Sequence, residues 1–438
     1  MNKRMDRSRL NIGVYHLRPY ARTDAHIKDL ADCGIDFVVC MDNDRPALDL
    51  FHKYGVGAIV SGIVPGWWGG DGDNAGKLAE TNPMEKYEAA AKAYCDHPAI
   101  WGIDVGDEPS ALDFPYYGRV MDYVNRAFPN QFPYLNLYPN YASVSQNNAQ
   151  ETVNQLGTAT YDEHIQKYCE NVPADYICYD FYLYSMNVTK HYENLRVVAD
   201  ACRNTGRSMW IVLQVNSNKP AEWISENNLR FQAYTSMAFG AENIIWACYT
   251  AGWWHNQVLD GEGNKTEQYD KLKKINAEIR TLADEYMKYR RVSTHFVGFG
   301  GLTCEAGHPD MAAVQQEAIA SLSTGVFFDV KADNGAPLVV GEMVNRKGDG
   351  SVALMVCAAD DPRDEKQNST DTNWSRVAEA APAVHDAASA QTYNITFRAP
   401  DRCVHALGGN GYKTVTDLGG GVYAVAVKSN EGVLITAR

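Results

Sequence analysis

The 438 residues predict an α/β protein: a (β/α)8 TIM barrel followed by an all-β, sandwich-like unit. Three observations carry this expectation. Eight short apolar runs alternate with helical periodicity between residues 10 and 291. The runs are near-continuously apolar rather than alternating, as strands buried on both faces of a parallel sheet are. From residue 292 onward the texture changes to short alternating runs punctuated by Gly, Asn and Asp. A doubly wound open sheet is the structural alternative, but no G-x-G-x-x-G or Walker loop follows the first run.

In chain order the strand candidates are LNIGVYH at 10, IDFVVC at 35, GAIVSGI at 57, IWGIDVGDE at 100, PYLNLYP at 133, DYICYDFYL at 175, SMWIVLQV at 208 and NIIWACYT at 243. Between them lie segments read as amphipathic helices, among them AHIKDLADCG, MEKYEAAAKAYC, GRVMDYVNRAF, YDEHIQKYCENV, YENLRVVADACRNTG and NLRFQAYTSMAFGA. Several end at a Gly that suits a helix C′ position. TEQYDKLKKINAEIRTLADEYM closes the series, and that count and size fit a barrel. Residues 1–9 read as a basic tail, 10–291 as the barrel and 292–438 as the β unit, without catalytic residues. The polar insert at 360–376 reads as a mobile surface loop.

A formal charge of −14 argues against nucleic acid or an anionic membrane surface as partner. No run approaches the ~20 apolar residues of a membrane span. The head, MNKRMDRSRL, lacks an apolar signal core, so the chain as it stands reads as cytoplasmic, or as secreted if a signal was removed. Ten cysteines with no C-x-x-C pair read as reduced thiols, and neither a metal nor another cofactor is expected. A homo-oligomer is compatible with the β unit as an assembly module.

In a barrel, chemistry sits at the strand C-terminal ends. Those ends carry Tyr15 and His16; Asp42 and Asn43; Pro65 with Trp67 and Trp68; Asp107 and Glu108; Asn136, Tyr138 and Asn140; Asp180 with Tyr182; Gln214 and Asn216; and Tyr249 with Trp253, Trp254 and His255. Acids, amides, tyrosines and paired indoles suit a sugar: indoles cover pyranose faces, amides and carboxylates bind hydroxyls, and a carboxyl pair does acid and base work. His16, Asp42, Trp67, Trp68, Asn136, Tyr138, Tyr182, Gln214, Tyr249, Trp253 and Trp254 are therefore candidate contacts to an oligosaccharide or glycoside. One indole of each doublet is expected to pack inward. Asp107 and Glu108 can share the mouth only if the strand breaks, which Gly106 and Pro109 allow.

With its D-E-P turn after the fourth strand and the passage NNLRFQAYTSMAFGAENIIWACYT, the chain resembles the (β/α)8 glycoside hydrolases of the β-galactosidase and β-glycanase clan over about residues 10–290. The resemblance implies glycosidase activity with Glu108 as general acid/base. It also implies a nucleophilic Glu at the end of strand seven, where this chain carries Gln214, an amide that forms no glycosyl ester. Two mechanisms remain. Asp107 with Glu108 resembles the Asp-Glu pair of N-acetyl-hexosaminidases, in which the substrate's acetamido group attacks; alternatively, Asp180 is the second carboxyl opposite Glu108. The sequence favours Asp180, since nothing in it demonstrates an acetamido substrate. A carbohydrate-binding barrel without catalysis is the competing class.

Overall fold

The computed structural model describes residues 3–69, 74–142, 155–185, 188–217, 220, 222–250, 252, 254–299, 319–360 and 391–438. Eight parallel strands form the barrel: β1 Asn11–Tyr15, β2 Phe37–Asp42, β3 Gly57–Ser61, β4 Ile100–Asp107, β5 Phe132–Asn136, β6 Tyr176–Phe181, β7 Ser208–Gln214 and β8 Ala241–Ala247. They are paired in the order β5-β4-β3-β2-β1-β8-β7-β6. Around them run α1 Asp24–Asp32, α2 Arg45–Tyr54, α3 Leu78–Thr81, α4 Met84–Ala93, α5 Phe114–Ala127, α6 Tyr161–Asn171, α7 Val188–Thr205, α8 Glu226–Ala238 and α9 Glu267–Tyr286. Side-chain oxygens of Thr23, Asp44, Thr160, Ser225 and Thr266 accept from backbone N–H groups in the first turns of α1, α2, α6, α8 and α9.

Strand parity explains the apolar runs. In β6, Ile177, Tyr179 and Phe181 join the layer against the helices, while Tyr176 and Cys178 fill the barrel interior. In β7, Met209, Ile211 and Leu213 face out, and Trp210 and Val212 face in. The remaining edges, β5 and β6, close without a full ladder. Tyr176 reaches across the seam, its hydroxyl donating to the Pro133 carbonyl and accepting from the Leu135 N–H, both at 2.9 Å. Nearer the mouth, Leu137 bridges to Tyr179.

The basic segment before β1 seals the opposite end. Met5 is buried in the interior cluster. The Arg7 guanidinium stands 4.8, 5.2 and 5.0 Å from the rings of Phe132, Tyr176 and Trp210 and pairs with Asp175. Arg4 pairs with Asp96 at 2.6 Å. A segment that reads as a tail is thus held as a plug, because planar cations stack on the aromatic floor.

The second unit is two antiparallel sheets. Its strands are β9 Tyr289–Val297, β10 Ile319–Ser321, β11 Phe328–Ala332, β12 Leu338–Asn345, β13 Val352–Ala358, β14 Thr392–Arg398, β15 Val404–Gly408, β16 Gly411–Lys413, β17 Val415–Gly419, β18 Val422–Lys428 and β19 Gly432–Ala437. They are ordered β10-β11-β14-β18-β17 and β16-β15-β19-β13-β12-β9. β9 already pairs with β12 at Tyr289, so this unit follows α9 without a linker. The insert at 360–376 lies outside the described residues from 361 onward.

Two patterns differ from their sequence reading, for one reason. β13 is apolar on both faces because Leu354 and Val356 enter the sandwich core while Ala353, Met355 and Cys357 pack on the barrel. Likewise α8 is buried nearly all round rather than amphipathic, lying between the barrel strands and β12 and β13. Its buried hydroxyls bond back to their own helix, Thr235 to the Phe231 carbonyl at 2.6 Å and Ser236 to the Gln232 carbonyl at 2.7 Å.

The closest approach is at Gly341, where a Cβ would stand 2.0 Å from the Ala238 carbonyl oxygen. Gly341→Val should therefore cost about 1–3 kcal/mol or more in denaturant unfolding. Gly261→Ala, with nothing within 4 Å, should be neutral. Equal effects of the two changes would show that this contact does not set the packing of the two units.

Candidate active site

The strand that ends in two acids is broken where the sequence allowed it. Gly106 has φ 156°, and a Cβ there would meet the Tyr117 hydroxyl at 2.1 Å and the Trp67 carbonyl at 2.6 Å. The register against β5 shifts at the same place. The Asp107 N–H donates to the Trp67 carbonyl, and the Asp107 carbonyl accepts from the Gly69 N–H, both at 2.9 Å, so the chain after β3 is stitched beside the end of β4. Glu108 follows at φ 45°, its N–H bonded to the Asn136 carbonyl at 2.9 Å.

Three carboxyls meet there. The Asn136 side-chain N–H group donates to Asp180 at 2.7 Å and to Asp107 at 3.2 Å. Its oxygen accepts from the Cys178 thiol at 3.3 Å, so every part of the amide is engaged. Glu108 hydrogen-bonds to the Asp180 carboxyl, and its Oε2 accepts from the Trp68 indole N–H at 3.4 Å. Asp180 is 3% exposed; Asp107 and Glu108 are half-buried.

Burial pushes the Asp107 carboxyl far above the ordinary range, helped by the charges of Asp180 and Asp104; burial likewise raises Asp180, against the hydrogen bonds from Asn136 and Glu108. The two titrate as a pair that keeps a proton into the neutral range.

Sequence reading missed Asp104, which lies inside the barrel one bulge below Asp107. Its carboxyl accepts from the Ser61 hydroxyl at 2.6 Å, the Gly106 N–H at 3.1 Å and the Cys40 thiol at 3.8 Å. Burial raises it to about 6. An acid inside an otherwise apolar run was the available signal. Tyr141 was also missed; it is buried edge-on to Phe181, close enough to Asp180 and Glu108 that their charges hold its hydroxyl protonated after burial itself.

The remaining candidates divide. Trp68 is 63% exposed while Trp67 packs on the core. Tyr182 meets Trp254 edge-on at 4.5 Å. His16, at φ 60°, lies edge-on to Tyr15 beside the chain after β8, and burial lowers its pKa, so the imidazole is neutral. Asp42 sits at the rim, paired with Arg22 at 2.5 Å.

Gln214 is wholly buried. Its oxygen accepts from the Tyr184 N–H and its amide N–H donates to the Asn216 carbonyl, each at 2.9 Å, so it braces two loops rather than facing a ligand. Tyr138 packs outward toward His164. Tyr249 is buried in the outer layer near Cys33 and Tyr269. Neither lines the mouth, because the chain beyond β5 and β8 turns these rings into the helical layer. Trp253 lies outside the described residues. Among the described residues, no group of three or more His, Cys, Asp or Glu side chains could hold a metal ion.

In three dimensions the chain is similar to a Paenibacillus cycloisomaltooligosaccharide glucanotransferase solved with cycloisomaltoheptaose (TM-score 0.51, 10% identity, covering 99% of this chain and 85% of that one). A Croceicoccus marinus glucosidase scores 0.45 at 10% identity, covering 98% of this chain and 96% of its own. Thermotoga maritima xylanase 10B scores 0.42 at 11%, covering 62% of this chain and 95% of its own. The likeness is one of fold. No family model and no curated protein matches the chain.

Asp104 supplies a test of the site's electrostatics. Its folded pKa is raised, so its contribution to stability is full below the unfolded carboxylate range and is lost as pH rises through about 6. Asp104→Asn removes the buried charge. Its stability relative to wild type should rise between about pH 4 and pH 8, by on the order of 2 kcal/mol. A pH-independent difference in urea unfolding would contradict a costly buried carboxylate.

Proposed function

We propose that the protein is a glycoside hydrolase cleaving an O-glycosidic bond, with Glu108 as general acid and Asp107 working beside it. The observation that carries this reading is the break at Gly106, which brings two consecutive carboxyls to one barrel mouth, one of them under an exposed indole. Cleavage through an oxocarbenium-like transition state needs a proton donor at the leaving oxygen and a second group stabilising the anomeric centre. The barrel shared with the glucanotransferase agrees with this reading.

The burial of Asp180 moves the preference between mechanisms. At 3% exposure, and hydrogen-bonded to Glu108 and Asn136, it offers little free surface to a sugar carbon, whereas the two carboxyls of a retaining pair face each other ~5 Å apart across the anomeric centre. Gln214 is not ionisable and is occupied by backbone groups. A substrate 2-acetamido group oriented by Asp107 then supplies the nucleophile, and Asp180 sets the protonation of Asp107. This favours an N-acetyl-hexosaminidase-like, substrate-assisted reaction.

Aryl glycosides with and without a 2-acetamido group provide the test. Wild type should cleave the acetamido series only. Glu108→Gln should slow poor leaving groups by ~10²-fold or more and activated ones less. Asp107→Asn should be nearly as damaging, and Asp180→Asn milder, with a shifted pH profile. Turnover of plain glycosides that is abolished in Asp180→Ala and restored by azide would return the role of nucleophile to Asp180. Sugar binding with no cleavage of any substrate would make this a binding barrel.

A further inference from the structure

Trp68 and Glu108 form one rigid unit. The indole belongs to the segment stitched to β4 through the Trp67 carbonyl and the Gly69 N–H, both bonded to Asp107. Its N–H points at Glu108 Oε2, 3.4 Å away, yet 63% of the residue is exposed. Trp67, its neighbour, packs in the core. An indole left in solvent by a chain that buries its partner, and fixed by two backbone hydrogen bonds, is pre-organised for a ligand at little entropic cost.

The side of the scissile bond on which it stands follows from the proton. A general acid delivers its proton to the oxygen of the departing group, so a ring lying against the acid's carboxylate contacts that group rather than the sugar that keeps the anomeric carbon. Tyr182 and Trp254, on the segments after β6 and β8 and packed edge-on at 4.5 Å, form a separate aromatic pair.

Resting on the glycosidase reading, we propose that Trp68 is the platform of a leaving-group subsite that stacks a pyranose ring, so that the natural substrate is a glycan with a sugar on the reducing side of the cleaved bond rather than a simple alkyl glycoside. Stacking of this kind stabilises the transition state only when the departing group has a ring to stack.

The experiment compares Trp68→Ala, Trp68→Phe and wild type on two substrates sharing one glycosyl donor: an alkyl glycoside, whose leaving alcohol needs the same proton from Glu108 but has no ring, and a disaccharide. Trp68→Ala should lose at least tenfold in kcat/KM on the disaccharide and stay within twofold on the alkyl glycoside, with Trp68→Phe recovering most of the loss. Equal losses on both substrates would show that Trp68 merely positions Glu108, and no loss on either would show that it contacts nothing; each overturns the proposal. If no glycoside is cleaved, the glycosidase reading falls, and binding to a glycan array decides the platform separately. Glycans retained by wild type and lost by Trp68→Ala support it; identical patterns, or no glycan bound by wild type, overturn it.

Discussion

One amide holds the barrel mouth together. Asn136 ends β5 at the seam where the sheet closes without a ladder, and its side chain links Asp107 of β4 to Asp180 of β6 while accepting from Cys178. Among the described residues, Asp104, Asp107 and Asp180 bond to hydroxyl, thiol, amide and carboxyl groups and backbone N–H rather than to cations. Buried carboxyls without a counter-ion are stabilised by a proton, because desolvating even one such charge costs several kcal/mol. The electrostatics therefore follow from the topology: parity turns the acids inward, and the seam brings them under one amide.

Part of the backbone strain lies at the same end. His16, Cys40 and Glu108 have positive φ without being glycine and stand within or just beyond a barrel strand, and Trp254, in the loop after β8, shares it. Such conformations persist only where surrounding packing over-determines them. At Glu108 and His16 the backbone N–H groups are held by the Asn136 and Val39 carbonyls, at 2.9 and 3.1 Å.

The fold was legible because its cause is local. A strand buried on both faces is apolar nearly throughout, so DYICYDFYL announces Tyr176–Phe181 whatever its neighbours are. The acids closing β4 and β6 were legible for the same reason, as charges that end an apolar run. What failed needed parity counted through a bulge or the direction of a loop. Asp104 faces inward beside Cys40, itself an irregular position in β2. Tyr138 and Tyr249 follow strand ends but turn into the helical layer. Gln214 stood where expected, yet its side chain is taken up by the backbone of Tyr184, thirty residues earlier, and of Asn216, two residues on. The change of texture at residue 292 came slightly late, since β9 begins at Tyr289.

The claim that a proton is held among these buried carboxyls at neutral pH is open to direct observation. Infrared difference spectroscopy across a pH titration should show a protonated carboxyl C=O band persisting past pH 7 in wild type and diminished in Asp107→Asn and in Asp180→Asn. A spectrum in which every carboxyl is ionised by about pH 5 would contradict the account, because Asp107 and Asp180 would then carry their charges separately, and Asp107 would have no proton with which to respond to a substrate.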